Sequence, residues 1–279
     1  MNPPLATISF TEAIDRLPSM PSAVVEIIRC IDDENVEIET LAEWVSHDIG
    51  LSASLLRVAN SAQFSEHGSV STLHDAIMLV GFKQIRSLVC AVGLIRTFPA
   101  TTETFFDYNG FWRHSLSVAV CARLLAKDLR INPDTAFICG LLHDIGKLAL
   151  VLAAPADFRD SLAYADAHHC ALAQAEQVTL GLNHSQLGAQ LARKWGLPAI
   201  ICETIATCRS PDAAPATPMS DLVHVSQVLC ATLGLGANER IVTPLSDLAM
   251  ARLNLTLFHL KPYFSAIEFE YENAVRILN

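Results

Sequence analysis

The most apolar stretch of the chain, Phe137 to Ala156, carries His143, Asp144 and Lys147 at its centre. A membrane-spanning helix does not fit it, because ionisable side chains at mid-span are expensive in hydrocarbon. A helix buried in a protein core does fit, provided its charges meet partners there. Asn132-Pro133 supplies an N-cap and a first-turn proline ahead of the stretch, so the spacing predicts one helix through Phe137, Leu141, Leu142, Ile145, Leu148 and Leu152.

The same spacing recurs along the chain. Ile27, Ile28 and Ile31 repeat after Pro21, Leu41, Trp44 and Val45 follow a Thr40-x-x-Glu43 capping box, and Leu51, Leu55 and Val58 come next. An all-α fold is expected. Composition agrees: 51% of residues are apolar and only 12 are glycine, too few turn formers for a strand-rich sandwich. A length of 279 residues suits two lobes. The Phe98 to Asn109 segment, with Pro99 and a threonine-rich run, breaks the periodicity and predicts the joint between lobes 1–98 and 99–279. Ser210 to Ser220 holds Pro211, Pro215 and Pro218 and reads as an extended surface loop, whereas Tyr271 to Asn279 reads as a terminal helix.

Charge and cysteines bound the partners. A net charge of −10 repels phosphate backbones and anionic lipid, which disfavours bulk nucleic-acid or membrane binding. Met1 to Phe10 lacks the basic start of a signal peptide, and the eight cysteines form no C-x-x-C pair. Reduced thiols and a cytoplasmic location are the expectation.

The candidate chemistry lies in His143-Asp144-Ile145-Gly146-Lys147. A buried unpaired charge costs several kcal/mol, roughly, unless an ion or partner offsets it. Neighbours on a helix point about 100° apart, so His143 and Asp144 share a cation only if it sits obliquely and other helices complete its shell. His114, on a helix with Leu116, Val120, Leu124 and Leu125, and His184, at the start of another, are the candidates. Imidazoles with a carboxylate suit Zn, Mn, Fe or Ni. Taken singly, each histidine reads as a hydrogen-bonded core or helix-end residue; the order of the five residues is what singles out His143 and Asp144.

Other features read as structural. His47-Asp48 and His74-Asp75 lie near expected helix ends, His168-His169 in a solvated turn, and Arg57 and Asn60 suit hydrogen bonds between the lobes. No P-loop, dinucleotide-binding or nucleophile-elbow string occurs.

Three strings in the first lobe, Leu17-Pro-Ser-Met-Pro, His47-Asp-Ile-Gly-Leu-Ser-Ala-Ser-Leu-Leu-Arg-Val-Ala-Asn-Ser-Ala-Gln-Phe and Leu73-His-Asp-Ala-Ile-Met-Leu-Val-Gly-Phe, together with His143-Asp-Ile-Gly-Lys, resemble the HDOD family, a relative of the HD phosphohydrolases and HD-GYP phosphodiesterases. The resemblance covers nearly the whole chain and implies a two-lobed helical HDOD fold: an N-terminal family-specific lobe and an HD-like lobe. It places His114 at the first histidine of the HD signature, His143 and Asp144 at its doublet, His184 at a later histidine and Lys147 at a lysine that contacts substrate phosphate. It also exposes departures. Cys208 and Arg209 stand where related sequences carry paired histidines, and Gln227 stands where an HD enzyme places its last metal-binding aspartate.

The expectation is therefore a non-catalytic signalling module of bacterial signal transduction. It would act through signalling proteins, with no receiver or cyclase domain attached, and carry a degenerate metal site on His114, His143, Asp144 and His184. The cofactor would be a single divalent ion (Zn, Mn, Fe or Ni) or none, in which case Asp144 pairs with a protonated histidine or with Arg209. Two cations about 3.5 to 4 Å apart need anionic ligands to offset their repulsion, and this set has lost an anion and gained a cation. The first alternative is a metal-dependent phosphohydrolase, with Lys147 neutralising developing charge. The second is an anion or nucleotide sensor using Lys147 and Arg209.

Overall fold

Every regular element among the described residues is a helix. The structure, a computed structural model, describes residues 14–15, 17–33, 35–60, 70–101, 103–213, 216–236 and 243–275. Met1 to Phe10, the Ser61-Ala62-Gln63-Phe64 end of the long first-lobe string, residues 214–215 of the proline-rich segment and the last four residues of the expected terminal helix lie outside them.

The chain forms two compact units. Ser19–Pro99 makes one, from α1 (Ser22–Arg29), α2 (Ile38–Ser46), α3 (Ile49–Ala59), α4 (Leu73–Val80) and α5 (Phe82–Thr97). The side chains of Val24, Ile27, Ile28, Leu41, Val45, Leu51, Leu55, Ile77 and Ile85 fill its core. Here α2 corrects the expected start. It begins at Ile38 after Glu37, so Thr40 lies inside the helix and the capping box does not form. Asp48 caps α3 by accepting the Leu51 N–H at 2.9 Å, and His47 ends α2, as structural residues would. Asn60 bonds to both backbone groups of Val70 at 2.8 Å, and Arg57 donates to Ser54 on its own helix at 3.1 Å. These bonds lie within their own unit.

The second unit runs from Ala100 and includes the residues before Ser19. Lys194 holds that early segment, donating to the Ile14 carbonyl at 3.0 Å and to Asp15 at 2.9 Å. Its helices are α6 (Tyr108–Asp128), α7 (Pro133–Leu142), α8 (Ile145–Ala153), α9 (Pro155–His168), α10 (Leu172–Leu180), α11 (His184–Lys194), α12 (Ala199–Thr207), α13 (Pro218–Thr232), α14 (Asp247–Arg252), α15 (Leu257–Leu260) and α16 (Phe264–Val275). Asn132 caps α7 as the sequence indicates, accepting from Asp134 and Thr135, with Pro133 in the first turn. Pro218 likewise opens α13, so the proline-rich loop ends there rather than at Ser220.

One expectation fails where it matters most. The apolar stretch is two helices, broken at His143 and Asp144. Both side chains are buried, and His143 Nε2 lies 3.5 Å from Asp144 Oδ2. Pro133–Ala153 taken together is long and apolar enough to cross a bilayer, but 83% of its apolar window is buried within the protein. Among the described residues, α4 and α5 pass that test only as a joint span, and they are bent by 115°.

Two glycines let the helices around the break approach backbone to backbone. α6 packs on α7, and α8 packs on α11. A Cβ on Gly140 would lie 2.7 Å from the Ala119 Cα, and one on Gly146 would lie 1.8 Å from the His184 carbonyl oxygen. Neither obstacle is a flexible side-chain end. Gly146→Ala is therefore expected to destabilise the chain by about 2–3 kcal/mol through overpacking. Urea unfolding measures it; a loss below about 0.5 kcal/mol, the range of innocuous surface changes, would show that α8 and α11 part freely.

Candidate metal centre

The break between α7 and α8 brings His143 and Asp144 to the middle of a cluster built from six other segments. His114 comes from α6, Lys147 from α8, Glu176 from α10, His184 from the first position of α11, Arg209 from just beyond α12, and His224 and Gln227 from α13. His114, His143, Asp144, Glu176, His184, His224 and Gln227 are all buried. Of the residues expected from sequence, His114, His143 and Asp144 come together as one cluster, and His184 and Lys147 join it through Asp144.

Asp144 is the hub. Arg209 grips it with a fork: Nε donates to Oδ1 at 2.9 Å and Nη2 donates to Oδ2. Lys147 Nζ adds a contact to Oδ2 at 2.6 Å. His143 Nε2 stands 3.5 Å from Oδ2, and His184 Nε2 stands 3.7 Å from Oδ1. Burial would raise the Asp144 carboxyl, but the Arg209 guanidinium, backed by the Lys147 ammonium, outweighs burial and holds the group well below the usual carboxylate range.

The imidazoles are fixed by bonds on their far sides. His143 Nδ1 donates to the Gly140 carbonyl at 2.7 Å, which leaves the lone pair on Nε2. Burial above all pushes this histidine down to about 3, so it is neutral at ordinary pH. His114 stacks edge-on against His143 with ring centres 5.4 Å apart, and its Nδ1 meets the Leu235 carbonyl at 3.4 Å. Ligand atoms of His114, His143 and Asp144 all lie within 4.8 Å of one another.

Glu176 is the residue that sequence reasoning missed. Its Oε2 accepts both the His184 backbone N–H at 2.8 Å and His184 Nδ1 at 2.6 Å. It thus orients the ring, directs Nε2 inward, and supports the start of α11 alongside the Asn183 capping box. Nothing in the local spacing gives it away, because it reaches His184 from the preceding helix around the turn at Gly181, where φ is +79°.

The departures at Cys208, Arg209 and Gln227 form one wall. The Cys208 carbonyl accepts from His224 Nδ1 at 2.9 Å and from the Gln227 amide at 3.3 Å. The Ser246 N–H donates to the other His224 nitrogen at 3.0 Å. Burial lowers His224 and raises the Cys208 thiol to about 12, so both stay neutral and the thiol is no metal-binding thiolate at neutral pH.

Two ions bridged by Asp144 do not fit this donor set. Both oxygens of the carboxylate are already held by Arg209 and Lys147, Gln227 contributes no charge, and the second carboxylate, Glu176, is paired with His184. A single divalent ion fits better. The Nε2 atoms of His143 and His184 are buried without hydrogen bonds, inward-facing donors of the type that such an ion binds.

The HDOD domain family model matches residues 17–211. The chain belongs to the HDOD family. Its fold is that of an HDOD domain protein from Geobacter sulfurreducens, at 24% identity and a TM-score of 0.78 over 95% of each chain. It is also similar to a candidate phosphohydrolase from Shewanella amazonensis SB2B, at 27% identity and a TM-score of 0.76, covering 97% of this chain and 98% of that one. An uncharacterised protein of Treponema pallidum (strain Nichols) is 27% identical over 200 residues, 71% of this chain. This HDOD chain spans 38% of the length of that relative. The HDOD domain is related to the HD phosphohydrolases, and the buried His114, His143 and Asp144 are a set of side chains that could hold a metal ion.

Proposed function

We propose that this HDOD chain is a non-catalytic regulatory module that acts through contacts with signalling proteins in the bacterial cytoplasm. The grip of Arg209 and Lys147 on Asp144 supports this reading. Phosphodiester hydrolysis by two ions requires a carboxylate free to bridge them, and here that carboxylate is occupied by fixed cations. On this reading the pocket persists as a buried polar core that joins α6, α7, α8, α10, α11 and α13, with Asp144 held by Arg209 and Lys147.

A second reading, a metal-dependent phosphohydrolase, draws on the buried Nε2 atoms of His143 and His184, which lack hydrogen bonds. His114, His143 and His184, with Asp144, would hold a single Zn, Mn, Fe or Ni ion, whose chemistry is to polarise a phosphoryl oxygen and acidify a water. Lys147 would then turn from Asp144 to the phosphate. Anion sensing by Lys147 and Arg209 has less support, since it requires both cations to leave Asp144.

Turnover of a chromogenic phosphodiester in the presence of Mn separates the first two readings. The expected rate matches that of buffer with metal alone. Hydrolysis well above that background, abolished by Lys147→Ala in protein that melts normally, would replace the first reading with the second.

A further inference from the structure

The His/Asp cluster has one carboxylate at its centre, and a guanidinium sits on both of its oxygens. We propose that Arg209 is an internal cation of the pocket: by occupying Asp144 it keeps metal ions off this carboxylate and so sets how many ions the pocket admits. This deepens the reading of the same site as a regulatory module and rests on it.

Three observations carry the inference. The contact is a two-point fork from Nε and Nη2, the geometry in which arginine matches a carboxylate best. It is sheltered, with the Arg209 side chain 10% exposed and Asp144 1% exposed, so water and salt weaken it little. The backbone behind it is pinned. The carbonyl of Cys208, the preceding residue, accepts from His224 and Gln227, and Arg209 Nη1 lies 3.4 Å from Thr243 Oγ1. A tethered group already ordered in place has a high effective concentration, which a free ion must overcome to reach the same oxygens. Lys147 cannot do this alone, because an ammonium is a point charge on a flexible stem and it meets one oxygen.

The test uses the full chain, stripped of metal and then titrated with Mn, reading the ions bound per chain and their Kd by calorimetry. Arg209→Gln removes the charge, Arg209→His also adds an imidazole, and Arg209→Lys keeps a positive charge without the fork. Either Arg209→Gln or Arg209→His is expected to bind one more Mn per chain than wild type, or to bind it at least ~100-fold more tightly, about 2.7 kcal/mol at 1.4 kcal/mol per tenfold. Arg209→Lys is expected to fall between them and wild type. Stoichiometry and Kd equal to wild type in folded Arg209→Gln and Arg209→His would overturn the proposal.

If those variants fail to fold, the wild-type chain decides. The protected Nε–H signal of Arg209, seen by nitrogen-15 NMR, is expected to persist when one equivalent of diamagnetic Zn is added; its loss at that ratio would overturn the proposal. Phosphodiester turnover by wild type would sink the regulatory reading and leave this result standing. Unchanged metal binding in the variants would sink this inference and leave that reading standing.

Discussion

Asp144→Asn lowers the stability of the chain by about 3–5 kcal/mol, the usual consequence of removing one partner from a buried ion pair. The substitution keeps the shape of the side chain and removes its charge, leaving Arg209 and Lys147 facing each other across a neutral amide where little water enters. Arg209 is affected more than Lys147, because both of its donating nitrogens point at the lost charge. The double variant Asp144→Asn/Arg209→Gln should recover part of the loss, since it removes the stranded guanidinium as well. Energies of two groups in contact do not add, and that shortfall measures the pair. Urea unfolding of the four proteins gives the values. A single-variant loss below about 1 kcal/mol, the scale of exposed pairs, would mean that the fork is solvated.

Acidification of chelator-treated protein should erode stability from about pH 6.5 downward, well before carboxylates titrate. Burial keeps folded His143 neutral down to about 3, whereas an unfolded histidine takes up its proton near 6.5, roughly the reference value. Between those values the unfolded chain binds a proton that the folded chain refuses, so stability falls as pH falls, by up to about 1.4 kcal/mol per pH unit. His224, also lowered mainly by burial, acts in the same direction. Asp144 joins later. Its folded value is depressed, so its contribution is complete above about 4 and is lost as pH falls further, through the folded value. His143→Gln should flatten the curve between pH 6 and pH 4, on the order of that slope. A wild-type curve already flat there would show that folded His143 accepts a proton.

Which parts of this could be read from the chain follows from which interactions are local. Asn132-Pro133 announced α7 because cap, proline and helix are adjacent, and His143 was readable because its motif string is continuous, whereas His114 and His184 were singled out by the family resemblance. Thr40-x-x-Glu43 misled for the opposite reason: a capping pattern is also a legal helix interior, and Ile38 and Glu39 extend α2 ahead of it. The break at His143-Asp144 carries no proline, and Leu142 rather than a glycine stands immediately before it; apolar periodicity runs straight through, so only tertiary packing reveals it. Glu176 was invisible because its partner lies across a turn. Arg209 stood out as a departure from a family pattern, and its pairing with Asp144 was one of the alternatives expected; the two-point fork and the wall of His224 and Gln227 behind it are encoded by no spacing.

The hold of Arg209 on Asp144 also bears on how the pocket tolerates change. Replacing Arg209 alone leaves the negative charge of Asp144 to Lys147, and placing an acid at position 227 alone adds a second anion to a buried wall. Substitutions at positions 144, 209 and 227 are therefore coupled, and the order in which they are made decides how much unbalanced charge each intermediate carries.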